Sequence, residues 1–258
     1  VLDSSLRHLR EKLAESFKKS GDSESAVFEY GRLANDYIED MPSKAVGFAQ
    51  MAFYLMPDDP RVRESLAKSH LKLGNIVEAE EHLSWLGEHY REEGKQEKAI
   101  DIFEQALSID GDRIDVRVGL AQALQDLKRN TEAAFQYMAV AEIYFQSGDR
   151  SRGLASLQMA SSLDPSNIEP KLKLARNYME SDHPEDAIDE YMEIASNQLQ
   201  EGLIDEAREV LDELFESQGQ NITLRVRAGR MYEQNSIPEL AVREYEQIAK
   251  LHFENGHY

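Results

Sequence analysis

The sequence predicts an all-α solenoid of about fourteen helices, and three regularities carry that expectation. A small residue recurs at Ala26, Ala45, Ala79, Ala99, Ala133, Gly153, Ala187, Ala207 and Ala241, in steps that alternate between 34 and 20 residues; only the first step, Ala26 to Ala45, is one short. Bulky apolar side chains stand four after many of these anchors, at Tyr30, Phe103, Tyr137, Tyr191 and Tyr245, which is one helical turn away. Gly or Pro closes the segments, as in "GKQEKAIDIFEQALSIDGD" at 94–112 and "MPSKAVGFAQMAFYLMPDDP" at 41–60. Self-similarity at a fixed period marks a stack of supersecondary units, each of which buries its apolar face only against its neighbours.

The elements follow in chain order. "VLDSSLRHLREKLAESFKKSG" opens the chain as an amphipathic helix and lacks the apolar core of a signal peptide. Residues 41–60, 94–112 and 148–167 each read as a turn followed by a helix with a small anchor. "TEAAFQYMAVAEIYFQSGD" at 131–149 serves two motifs at once: Ala133 and Tyr137 suit the second helix of one, while Val140, Ala141, Tyr144 and Gly148 suit the first helix of the next. One long helix is therefore shared, and the structural unit is about 54 residues carrying three helices. "LDPSNIEPKLKLARNYMESDHPEDA" supplies a Pro break, a capping Ser or Asn, and a Pro at a helix start with acids in its first turn. The expected division is one solenoid over 1–258, with units at about 1–58, 59–112, 113–165 and 166–218 and a partial unit at 219–258. The last segment, "AVREYEQIAKLHFENGHY", leads the repeat to expect a further helix, so the chain reads as a fragment of a longer protein. Phe253 and its neighbours would then be left uncovered or self-associated through that C-terminal end.

Leu86, Gly87, Tyr90, Gly94, Ala99, Phe103 and Ala106 together resemble the tetratricopeptide repeat, with Gly111 where that family usually has Pro. The resemblance implies a right-handed superhelix that binds partner proteins on the concave face made by its first helices. The alternating 34 and 20 spacing resembles the large tetratricopeptide scaffolds of polarised, pilus-bearing or gliding bacteria, some of which are effectors of a Ras-like polarity GTPase. That narrower likeness implies a scaffold of cell polarity or motility with a small GTPase as partner. The chaperone-tail clamp of the family, two Lys, two Asn and an Arg, is not supplied by "LSWLGEHYREEG" or "RVGLAQALQDLK".

Composition narrows the function classes. The 258 residues are 41% hydrophobic and 30% charged with a formal net charge of −20, enough apolar material for a core on a strongly acidic chain. That charge opposes phosphate backbones and anionic lipid, so neither nucleic acid nor direct membrane binding is expected. With no cysteine there is no disulfide, thiolate nucleophile or sulfur-ligated metal. No run of about 20 apolar residues is present, and a cytoplasmic location is the expectation. An envelope or lipopolysaccharide assembly adaptor, anchored elsewhere, and a non-catalytic subunit of an enzyme complex are the alternatives.

Catalytic signatures do not emerge: there is no Gly-rich phosphate loop, nucleophile elbow or H-E-x-x-H. His8, His70, His82, His89, His183, His252 and His257 are scattered, and the one helical pair, His82 and His89, lacks a third ligand. Neither enzyme nor cofactor is expected. Asn221-Ile222-Thr223 matches a glycosylation sequon without any sign of secretion.

Charge does form one constellation. Arg63, Arg117, Lys171 and Arg225 recur every 54 residues in the helix that opens each unit, and Arg10 continues the series backwards. Around them lie Arg61, Lys68, Arg113, Lys173, Arg176, Arg227 and Arg230, with Val118, Leu172 and Val226 also in register. These cations either neutralise carboxylates of neighbouring helices, at about 0 to 1 kcal/mol per exposed pair, or line a groove for an acidic amphipathic segment of a partner.

Overall fold

The computed structural model describes residues 4–181 and 184–254, and among them fourteen helices and no strand. His183 and His257 lie outside the described residues. The chain forms two compact units that meet in sequence at Ser147 and Gly148. The first holds α1 (Ser4–Ser20), α2 (Ser23–Tyr37), α3 (Pro42–Leu55), α4 (Pro60–Leu73), α5 (Ile76–Glu92), α6 (Gln96–Leu107), α7 (Ile114–Asp126) and α8 (Asn130–Gln146). The second holds α9 (Arg150–Leu163), α10 (Glu169–Met179), α11 (Pro184–Gln200), α12 (Ile204–Gln218), α13 (Ile222–Gln234) and α14 (Pro238–Glu254).

The 54-residue period is visible in the helix starts. Four of the five 17-residue helices, α5, α8, α11 and α14, begin at 76, 130, 184 and 238, and α3, α6, α9 and α12 begin at 42, 96, 150 and 204. These four long helices are the ones in the shared register, as the sequence predicts for 131–149. Within each unit, short connections fold most helices back onto their predecessors, and α2 also packs on α4, α5 on α7, and α11 on α13.

Every small anchor is buried, because each is a point where two helix axes approach. The closest approach surrounds Phe103, which is itself fully buried. A Cβ on Gly87 of α5 would lie 2.6 Å from its Cδ1, and one on Gly119 of α7 would lie 2.6 Å from its Cζ. Only glycine fits at either place, so Phe103 of α6 sits between two backbones. Tyr30, Tyr37, Tyr137 and Tyr191 are core residues, as their spacing predicts. Tyr30 donates to Glu15 at 2.8 Å and Tyr191 to Glu213 at 2.5 Å, which satisfies hydroxyls that burial would otherwise strand.

The turns obey the same register. Gly94, Gly148 and Gly202 close the long helices with φ of +73° to +82°, a region L side chains avoid. The preceding turn has Gly74 at φ +85°, but its counterparts are Lys128 at +59° and Ser236 at +61°. Asn167 Oδ1 accepts from Glu169 N at 3.0 Å, but Ile168 stands at the N-cap of α10 without a side-chain bond, so the capping Ser or Asn expected there sits one residue early. Asn221 Oδ1 accepts from Leu224 N at 3.1 Å, so the sequon's asparagine caps α13.

Candidate partner-binding site

The in-register cations lie on α4, α7, α10 and α13, two in each compact unit, and all four are half-buried. The three arginines repeat one arrangement. Nε donates to the carbonyl six residues back: Arg63 to Pro57 at 2.8 Å, Arg117 to Gly111 at 2.7 Å and Arg225 to Gly219 at 2.8 Å. The other end of the guanidinium meets the residue 19 positions on, in the next helix. Arg117 donates to Gln136 Oε1 at 2.9 Å and Arg225 to Glu244 Oε2 at 2.6 Å. Arg63 would meet His82 there, and instead lies over the Trp85 and Phe53 rings, 4.0 and 5.0 Å from their centroids. Lys171, with one ammonium in place of a planar fork, makes a single bond to Glu193 at 2.7 Å. Arg10 pairs with Asp36 of α2.

The three arginines therefore clasp the turn before their own helix to the helix after it, while Lys171 reaches only the helix after. They act on the neighbouring helix, as the neutralising alternative expects, but their acceptors sit in mid-helix and in loop carbonyls rather than in the acidic first turns. Spacing alone could have found two of the acceptors, since adding 19 gives Gln136 for Arg117 and Glu244 for Arg225; the same step gives His82 and Glu190, which Arg63 and Lys171 pass over for the Trp85 ring and Glu193. Burial, with Glu193 adding to it, raises the Glu190 carboxyl above its ordinary pKa.

A second set of cations is exposed except for half-buried Lys173. Lys68, Arg176 and Arg230 occupy one register and Lys173 and Arg227 another. Lys68 bonds Glu64 at 2.6 Å, Lys173 reaches Glu169 at 3.6 Å, Arg176 forks onto Glu213 at 2.7 and 2.8 Å, and Arg227 meets Asp189 at 3.0 Å. Arg176, Arg227 and Arg230 are exposed, whereas Val118, Leu172 and Val226 are half-buried, with Leu172 against the core. Arg61 pairs with Asp59 and Arg113 with Asp115 and Glu80.

Arg227 borders a cavity of about 240 Å³ between α11 and α13, floored by Ile188 and Leu224 and edged by Glu185, Asp189 and Thr223. An apolar floor with an exposed ion pair at its mouth suits a side chain carried by a charged segment. The corresponding cavity between α2 and α4, about 180 Å³, is lined by Val27, Phe28, Val62 and Ser65, with Arg32 and Arg61 at its rim.

The two α5 histidines have separate surroundings. His82 meets Phe53 edge-on at 5.6 Å and His70 at 5.9 Å, while His89 stacks on Trp85 at 4.7 Å. Among the described residues no three His, Asp or Glu side chains gather as metal ligands, and no helix is long and apolar enough to cross a membrane.

Residues 90–145 and 147–231 match tetratricopeptide repeat families. No curated protein matches. Similar solved structures include a human IFIT1 dimer with PPP-AAAA, 14% identical over 94% of this chain and 69% of that one, at a TM-score of 0.32. MamA is 16% identical over 67% of this chain and 97% of its own, at 0.25. A thermophilic TPR protein of Thermus thermophilus is 19% identical over 80% of this chain and 98% of its own, at 0.23.

Proposed function

The chain belongs to the tetratricopeptide repeat family, and from that premise we propose that it is a non-catalytic scaffold that holds partner proteins on the exposed cations of its second unit. One observation carries this. The Arg227–Asp189 pair stands exposed at the mouth of the α11–α13 cavity, while the half-buried cations of α7 and α13 are already engaged. An exposed pair contributes only about 0 to 1 kcal/mol, so a partner carboxylate can take over Arg227 at little cost. Lys173, Arg176 and Arg230 extend the same charge, and Ile188 and Leu224 offer apolar ground for an anchor residue. The occupant is an acidic amphipathic segment of another protein.

The alternating spacing, through its likeness to bacterial polarity and motility scaffolds, makes a Ras-like GTPase the first defined partner to offer. Capture from a lysate with the parent chain and with an Arg227→Glu, Arg230→Glu variant tests the surface. A protein held by the parent and lost by a variant of unchanged helicity supports the proposal. Identical sets of captured proteins refute it. Nucleotide-loaded and empty GTPase, titrated separately, decides the narrower identity.

A further inference from the structure

The first unit has a hole where the repeat elsewhere carries a methionine. Five residues after the anchors Ala26, Ala79, Ala133, Ala187 and Ala241 stand Gly31, Ser84, Met138, Met192 and Glu246. Both methionines are buried, and Met192 of α11 shares a cluster with Leu224 of α13, against which Ile188 also packs. Ile188 and Leu224 are the counterparts of Val27 and Val62, so the first unit keeps that pair of apolar walls and lacks the side chain between them. A Cβ on Gly31 would meet nothing within 4 Å, and Gly31 borders the cavity of about 180 Å³ between α2 and α4. The walls come from α2, α3 and α4, which all pack on one another, so the opening is a gap within a completed contact and not an unpaired helix face.

The lining says what the hole would take. Val27, Ala52 and Val62 make it apolar, and all three are buried. Ser65 adds a hydroxyl whose Oγ is shielded from solvent and has no hydrogen-bond partner among the described residues. A stranded hydroxyl is costly until something accepts its proton. The thioether sulfur of methionine is a weak acceptor on an unbranched, adaptable stem. We propose that this cavity is a docking site for a methionine side chain carried by an acidic segment of a partner protein, which supplies from outside the residue that Met192 supplies from within.

The rim sets the flanking charge. Arg32 lies 5.4 Å over the ring of exposed Phe28 and approaches Glu29 only at 3.8 Å, beyond hydrogen-bond reach. The Arg61 side chain holds Asp59 through Nε and Nη2, which leaves Nη1 for a further acceptor. The carboxylates beneath are hidden: the Glu29 and Asp59 side chains are 10% and 4% exposed, against 46% and 75% for Arg32 and Arg61. Solvent therefore meets guanidinium at the rim, and acidic residues on either side of the methionine would find donors there. This site belongs to the first unit and stands or falls apart from the α11–α13 surface.

A short glutamate-rich helical peptide with one central methionine, titrated to about 1 mM into the isotope-labelled full chain and followed by amide NMR shifts, tests this. Shifts at Gly31, Asn35, Val62 and Ser65 should saturate; those at Ile188 and Arg227 report the second unit and are scored separately. Exchanging the peptide's methionine for alanine should weaken binding about tenfold or more. A Gly31→Met chain, its cavity filled by the repeat's own residue, should be at least as stable as the parent in urea and show no shifts at Asn35, Val62 and Ser65. Arg32→Glu, at an exposed position, should leave the fold intact and weaken binding. The proposal is overturned by an absence of shifts at those four positions, by equal binding of the alanine peptide, or by parent-like binding to either variant. A Gly31→Met chain less stable than the parent also overturns it, since the hole would then not accept a methionine.

Discussion

Phe103 lies with its ring on the backbone of Gly87, and that contact fixes how closely α5 and α6 approach. A Gly87→Ala substitution drives a methyl group into the ring. Forcing extra carbon into a packed core costs about 1 to 3 kcal/mol. Urea unfolding followed by circular dichroism should show that loss, and a second change, Phe103→Leu, should return part of it. A Gly87→Ala chain as stable as the parent would show that α5 and α6 can separate freely.

Arg225 and Arg227 are two positions apart and should behave oppositely. Arg225 and Glu244 form a pair with side chains only 14% and 9% exposed. Arg225→Ala leaves a buried carboxylate uncompensated, a loss of about 3 kcal/mol or more. Arg227→Ala breaks an exposed pair and should cost less than about 1 kcal/mol, while weakening capture of the partner. Equal stability losses from the two would remove the distinction between clasp and docking cation.

The rung occupied by His82 should make the first unit acid-sensitive. Burial, then Arg63 and His70, lowers the His82 pKa from the ordinary 6.5 to about 4, and its Nδ1 is buried without a hydrogen-bond partner among the described residues. Between those values the unfolded chain takes up a proton that the folded chain refuses. Stability from this group is thus complete above about pH 6.5 and is lost as pH falls toward 4. The difference between pH 7 and pH 5 should be about 1 kcal/mol after allowance for solvent screening. A His82→Gln variant, matching Gln136 one unit on, should flatten the dependence in urea melts at the two pH values. An unchanged slope would place the acid sensitivity elsewhere.

Lys128 and Ser236 hold a left-handed backbone in turns where the equivalent Gly74 is free of strain. Lys128→Gly and Ser236→Gly should each raise stability by about 0.5 to 1 kcal/mol. Thermal melts of the single and double variants check this, and a lowered melting temperature would mean that the side chains hold those turns by contacts of their own.

Much of this architecture was legible in the sequence because packing constrains residue type. Where two helix axes meet, only Ala or Gly fits, so the anchors appear as letters at fixed intervals, and the shared helix at 130–146 follows from their spacing. The clasps were legible as a series of charges and illegible in direction. Arg63, Arg117 and Arg225 donate to backbone carbonyls of Pro57, Gly111 and Gly219, and a carbonyl leaves no mark on residue identity. The side-chain partners 19 positions on are Gln136 for Arg117 and Glu244 for Arg225, whereas Arg63 turns to the Trp85 and Phe53 rings, so no single residue type marks the far end of the clasp. The cavity beside Gly31 reads in the sequence as one weak helix position, and only comparison with buried Met138 and Met192 shows a missing side chain.

The shared long helix also sets how such a chain can grow or shrink. Since α5, α8 and α11 each belong to two motifs, excising a single 34-residue motif or a 20-residue remainder would join two helices whose buried faces do not correspond. Removing 76–129 would instead bring Asn130 directly after Asn75, with α8 taking the place of α5 behind α4. Duplication and loss are thereby confined to steps of three helices, so relatives that differ in length should differ by multiples of 54 residues.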